Sequence, residues 1–161
     1  MLTKVLYDLC GRDELITALC DETRSVVQRE GLTVSALQNL HLMDSTLKES
    51  QRLKPSLADP DRFDAYRSVR LRQTAGKERY AQVTTPSPEH LAWGFGKHAC
   101  PGRNLVVTEI KIALVHILLK YDLQLVDGLR PQPVKNGIVM SANSTAAVWV
   151  RRRQDDVSLS L

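Results

Sequence analysis

The run Trp93-Gly94-Phe95-Gly96-Lys97-His98-Ala99-Cys100-Pro101-Gly102-Arg103 constrains this chain most, because it joins a glycine-punctuated loop to a long apolar segment. Gly94 and Gly96 permit a tight, irregular backbone path and close approach to a flat ligand, which side chains there would obstruct. Cys100 ends the loop. Pro101 suits a first helical turn, where its missing N–H is one no helix uses, so a helix is expected to start just after the sulfur. A helix N-terminus favours a thiolate through its dipole and free N–H groups, and soft thiolate suits iron better than hard divalent ions. From Leu105 to Leu119 apolar residues surround most of the helix, leaving Asn104, Thr108 and Lys111 on a narrow polar strip, the pattern of a buried helix. The loop reads as a socket for heme iron. A lone cysteine ahead of an apolar helix also fits a small buried hydrophobe, so the reading rests on the whole loop.

Trp93-x-x-Gly96-x-His98-x-Cys100-x-Gly102 resembles the heme-binding loop of the cytochromes P-450, with tryptophan at a position where that family usually carries phenylalanine. The resemblance implies heme b (iron protoporphyrin IX) as cofactor, Cys100 as the axial metal ligand, and His98 where a basic residue meets a heme propionate. Trp93, Gly96 and Gly102 complete the cofactor-binding set. Upstream, Glu49-Ser50-Gln51-Arg52 places an acid and a base three residues apart on one helical face, ordinarily a surface ion pair worth ~0.2–0.5 kcal/mol. In the family the matching Glu-x-x-Arg pair is buried, and Arg67, in a segment that resembles the family's meander, would complete a triad with Glu49 and Arg52. Such a charge-assisted arrangement suits planar guanidinium groups.

Length and composition set the bounds. The 161 residues give one domain by the usual length prior, and the resemblance makes residues 1–161 a single partial domain, the heme-binding C-terminal portion of the fold. The expected class is mainly α with a small C-terminal β element. With 43% hydrophobic and 25% charged residues the chain is ordinary for a soluble globular protein. A net charge of +4, without aromatic platforms among the basic residues, falls short of a nucleic-acid signature. Cysteines 10, 20 and 100 lack metal-type spacing, and no secretory leader is visible, which suits a reducing, intracellular compartment. Intact family members are usually anchored to the endoplasmic reticulum. No apolar run here approaches the ~18 residues of an anchor.

Taken in order, Leu2, Val5, Leu6 and Leu9 predict a helix ending at Gly11, and Asp13 is expected to cap a second helix that ends near Gly31. Ser35-Ala36-Leu37-Gln38 has the form of a capping box opening a third helix, carried by Leu37, Leu40 and Leu47 as far as Pro55. Asp59 to Arg67 reads as turns, Arg67 to Arg79 as a solvated basic loop, and Thr84 to Pro88 as a turn into the cysteine loop. His41, His90 and His116 read as satisfied core or boundary residues rather than ligands. Cys10 and Cys20 read the same way. After Tyr121 come short strands, Ala146 to Val150 the clearest, and a hairpin tip at about Gly137 to Ser144. By resemblance that tip would dip into the substrate pocket with Ile138 and Met140 as lining residues, and Arg151 to Arg153 would be solvated.

The resemblance covers nearly the whole chain, and residues 5–52 look most like members from filamentous-fungal secondary-metabolite pathways. It implies a monooxygenase that oxidises a small lipophilic substrate with electrons from an NADPH-dependent reductase, and Lys97 and Arg103 could serve a basic docking face. Two departures matter. The family's long central helix, which delivers protons to bound oxygen, would end near Leu9, so its catalytic part would precede Met1. Between Pro55 and Asp59 several dozen residues of the family pattern are missing. The 161 residues alone are therefore expected to turn over little or not at all, and the alternative is an inactive heme-binding or interaction fragment, or a pseudogene product.

Overall fold

Helix α1 (Leu2–Leu9) buries Val5 and Leu9, and Gly11 at φ +77° turns the chain toward α2 (Asp13–Glu30). The computed structural model describes residues 1–52, 62–126, 128, 131–136 and 139–154, with backbone alone at 135–136 and 139–140. Pro55, the turn at 59–61, Gly137, Ile138 and the Met140 side chain lie outside the described residues. Asp13 is the first residue of α2 rather than its cap, and Gly31 closes that helix at φ +67°.

The expected third helix is two helices. Thr33, not Ser35, caps α3 (Val34–Asn39), its Oγ1 accepting the Ala36 N–H at 3.1 Å. The chain breaks at Leu40 and restarts as α4 (His41–Arg52). The second start is capped from a distance, because the half-buried Glu22 carboxylate of α2 accepts the Leu42 and Met43 N–H groups at 2.7 and 3.0 Å. Residues 67–72 form a helix, α5 (Arg67–Arg72), where a solvated loop was expected. Its amide end is tied down by Ser45 Oγ, which accepts the Ser68 and Val69 N–H groups.

Helix α6 (Arg103–Lys120) runs against α2 and α3. Val107, Leu114, Val115, Leu118 and Leu119 enter one core with Leu9, Leu19, Leu40, Met43 and Leu47. Its outer face is less covered than the sequence pattern implies, since Leu105 is 64% and Ile112 37% exposed. Lys111 is buried instead of lying on a polar strip: its Nζ pairs with Asp44 at 2.7 Å and donates to the Leu37 carbonyl at 2.8 Å.

Strand β1 (Tyr121–Leu125) pairs antiparallel with β4 (Val148–Arg152), and β2 (Val134–Asn136) pairs with β3 (Val139–Ser141). The last strand therefore lies two residues later than its apolar run indicated. Tyr7 of α1 ties this end to the helices by donating to the Asn143 and Ala146 carbonyls. Arg153 is not simply solvated. Its guanidinium meets Asp122 at 2.8 Å and lies 3.5 Å from the buried Cys20 Sγ, which donates to the Leu118 carbonyl.

Candidate heme-binding loop and the Glu49 ion cluster

The cysteine loop is held by its backbone. The Cys100 N–H donates to the Trp93 carbonyl at 2.7 Å, closing residues 93–100 into a ring, and the Gly94 N–H donates to the Leu91 carbonyl. Gly94, at φ +76°, has no substitute: a Cβ there would lie 2.7 Å from the His98 carbonyl oxygen. Gly96 also has positive φ, +61°, and opens a short 3₁₀ turn, Gly96–His98. A Cβ at Gly96 or Gly102 would meet nothing within 4 Å, so both glycines border open space.

Two side chains fasten the ring to the protein. Trp93 Nε1 donates to the Val83 carbonyl at 2.8 Å, and its ring packs on the main core. Arg103 donates through Nε to the Thr84 carbonyl at 2.9 Å and through Nη1 to the Cys100 carbonyl at 2.8 Å. Arg103 thus serves the loop's own shape, a role its charge alone did not disclose. The helix begins at Arg103 with Gly102 as its cap, so Pro101 lies in a turn ahead of the helix rather than in its first turn.

Cys100 is a free, half-buried thiol, and His98, Lys97 and Phe95 are exposed around it in the chain. Among the described residues its sulfur has no hydrogen-bond partner, and no group of three or more His, Cys, Asp or Glu side chains is placed to hold a metal ion. A metal at this sulfur would have to bring its remaining ligands with it, as a heme does. Phe95, 52% exposed, offers apolar surface that a flat macrocycle can cover. The residues present fit heme.

Glu49, 2% exposed, is the hub of a second cluster, on α4. Arg52 makes a two-pronged pair with it, Nε to Oε2 at 2.8 Å and Nη2 to Oε1 at 2.7 Å. Arg67 Nε reaches Oε2 at 3.1 Å, the Asp64 N–H donates to Oε1 at 3.0 Å, and Arg52 also bonds the Arg62 carbonyl. Burial pushes the Glu49 carboxyl up, but the hydrogen bonds from Arg52, the Asp64 amide and Arg67 outweigh it and hold its pKa below the ordinary value. The three residues expected to form a triad are thus in mutual contact through Glu49. The Asp64 amide is an addition that a reading of side chains does not disclose.

His41 and His90 lie outside the cysteine loop and are not among the partners of Glu49. His90 is buried, with Nε2 against Gln51 Oε1 at 3.1 Å. His41 has its pKa lowered, chiefly by burial and then by the nearby Arg72 charge. Among the described residues no helix is long and apolar enough to cross a membrane.

Comparison with known proteins bears on the whole of this arrangement. The profile of the family described as Cytochrome P450 matches residues 58–148. The chain is 37% identical over 198 residues to cytochrome P450 monooxygenase adrA of Penicillium rubens, covering 98% of this chain and 39% of that protein. It is 39% identical over 198 residues to cytochrome P450 monooxygenase calE of Penicillium decumbens, covering 99% of this chain and 38% of the relative. Among solved structures, the heme domain of cytochrome P450DA superposes with a TM-score of 0.64 at 19% identity, over 95% of this chain and 40% of that one. The chain thus spans about two fifths of the length of the relatives it matches. Both alignments are longer than the 161-residue chain, so each relative carries dozens of positions that have no counterpart here.

Proposed function

This chain belongs to the cytochrome P450 family, and on that premise we propose that residues 93–102 bind heme b with Cys100 as the axial ligand, forming the thiolate side of a monooxygenase site. Heme held by a thiolate supplies dioxygen activation, by which one oxygen atom enters a C–H bond and the other leaves as water, with electrons from a reductase. The observation that carries the reading is the loop itself: a free thiol on a glycine-shaped ring, with open space at Gly96 and Gly102 and an exposed apolar Phe95.

Each residue then has a definable task. Cys100 gives the iron its protein ligand, and the Trp93–Cys100 ring sets where the sulfur stands. His98, exposed on the 3₁₀ turn, is the donor for a propionate. Trp93 and Arg103 keep the ring from relaxing when the cofactor is absent, since both are bonded to the backbone at residues 83–84. Glu49, Arg52 and Arg67 act in folding and cofactor retention, with no part in chemistry. The Lys97 and Arg103 charges border the face where an NADPH-dependent reductase would dock.

The whole protein's reaction would be oxidation of a small lipophilic substrate in fungal secondary metabolism, a reading supported by relatives that are monooxygenases of filamentous fungi. The 161 residues by themselves supply one face of the cofactor. Turnover requires a pocket that excludes water and delivers protons on the opposite face, so this polypeptide alone binds heme and turns over little or not at all. After heme reconstitution, the reduced, carbon monoxide-treated chain should show the red-shifted Soret band of thiolate ligation, and Cys100→Ala should abolish it. Survival of the same band in Cys100→Ala would overturn the assignment. Product formed in step with NADPH consumption by the 161 residues plus reductase would overturn the one-faced reading.

A further inference from the structure

A cavity of about 790 Å³ lies between α4, α5, the 3₁₀ turn at Glu78–Ala81 and the 87–90 bridge, in the size range of small-ligand sites. Cys100 and the rest of its loop do not line it, so a ligand here would be independent of the cofactor assignment. Two properties of the walls define what would fit.

The first is charge. Lys48, Arg52, Arg67 and Lys77 face the cavity against only Glu49 and Glu89. Both arginines are already committed to Glu49, which leaves the two lysines against the exposed Glu89. Lys48 is the unusual member, 8% exposed, with Nζ donating to the Tyr80 and Gln82 carbonyls and to no carboxylate among the described residues. An ammonium has three N–H donors and both of these bonds go to neutral carbonyls, so a buried cation whose nearest charges, Asp44 and Glu89, act only at a distance gains from an anion brought into contact with it.

The second is apolar surface. Leu71, Pro88 and the Tyr80 ring line the same space, so an occupant needs a hydrocarbon or aromatic body as well as a negative end. We propose that this cavity binds small amphiphilic monoanions, medium-chain carboxylates being the matching class, with the head at Lys48 and Lys77 and the body against Leu71, Tyr80 and Pro88.

The site carries its own pH dependence. Burial, the main cause, lowers the Lys48 pKa to about 8; the Arg72 charge adds to this, while Asp44 and Glu89 oppose it. Besides Arg52 and Arg67, the other titratable groups on the cavity wall are Lys77, Tyr80, Glu49 and the buried His90. Anion binding requires the ammonium, so affinity is full below that value and falls as pH rises through it.

The test is a titration of the 161-residue chain with the fluorescent amphiphilic anion 1-anilinonaphthalene-8-sulfonate. It should saturate at one site, be displaced by decanoate, resist decanol, and weaken between pH 7 and pH 9.5. Lys48→Met should abolish binding, but it also strips the donor from two backbone carbonyls and can unfold the chain. Lys77→Glu, at an exposed position, and Leu71→Trp, which fills the cavity, therefore carry the test, and each should weaken binding by about tenfold. Displacement by decanol as readily as by decanoate would overturn the proposal, as would binding unchanged in both Lys77→Glu and Leu71→Trp.

Discussion

The Glu49 cluster and the cysteine loop are built by opposite means. Around Glu49 charged side chains do the holding: one buried carboxylate collects two guanidinium groups and a backbone amide. Around Cys100 the backbone does it, through the 2.7 Å bond between residues 93 and 100 and two positive-φ glycines, while the chemically active side chains stay exposed or half-buried. The first arrangement joins separate segments of the chain and depends on the Glu49 carboxylate at its centre. The second fixes one local shape and leaves its functional atom free of structural duty. Stability and cofactor chemistry therefore reside in separable residues.

The harshest way to break the comparison is Glu49→Ala. It removes the buried carboxylate that Arg52, Arg67 and the Asp64 amide share, and breaking a buried ion pair typically costs ~3–5 kcal/mol, a large part of a small domain's stability. Loss of soluble protein or a collapse of the melting transition is expected. Acid should act on the same point. The Glu49 carboxyl is held below its ordinary pKa, so its stabilisation is complete above the unfolded-state value and disappears as pH falls through the folded-state value. Wild-type stability should fall on acidification over that interval, and the fall should be shallower in Glu49→Gln. An unchanged melting curve in Glu49→Ala would demote the cluster to a surface pair.

Within the cluster the two arginines should differ. Arg52 has a side chain 9% exposed and a two-pronged pair, whereas Arg67 is 39% exposed and reaches one oxygen. Solvent screens the second bond, so Arg67→Ala should cost about 1 kcal/mol and Arg52→Ala clearly more. Equal losses would mean that Glu49 needs both charges whatever their exposure.

The loop offers a finer contrast between two glycines in one ring. Gly94→Ala combines an unfavourable φ with a 2.7 Å clash against a backbone oxygen that cannot rotate away, so the ring must open, at a cost of ~1–3 kcal/mol. Gly96→Ala carries the φ penalty alone, ~1 kcal/mol, because nothing stands within 4 Å. Heme titration should show Gly94→Ala losing cofactor affinity outright. Gly96→Ala should keep the ring, and any affinity it loses would report on the open space beside that glycine.

What could be read from the sequence divides along the same line. The cysteine loop was legible because its signal is local: glycine, cysteine and an apolar helix at fixed spacing. Helices α1 and α2 were legible for the same reason, from periodicity and the glycines that end them. The break at Leu40 was not, because its cause is Glu22, a residue of another helix that supplies the cap α4 needs. Lys111 was misplaced because one charge on an apolar helix looks like a solvent strip until its partner, Asp44 of α4, is known. The helix at 67–72 was hidden by its run of arginines, which reads as a solvated loop; the Glu49 partner of Arg67 was expected from the family resemblance, but the Asp44 partner of Arg72 was not. Long-range polar partners are what one-dimensional patterns omit.

The smallest effect is the sharpest test of separability. Cys100→Ala, measured on the chain without heme, should leave the melting temperature nearly unchanged. Among the described residues the sulfur makes no hydrogen bond, the thiol is half-buried rather than packed away, and the ring is closed by the Cys100 amide and carbonyl, which alanine keeps. Substitutions of that kind fall within about 0.5 kcal/mol. The same variant should lose the thiolate Soret band entirely, so one substitution separates the two roles. A large stability loss in the heme-free variant would show that the sulfur is packed as a small core residue. The loop would then owe its shape to the thiol as well as to its backbone, and the contrast with Glu49 would fail at its most specific point.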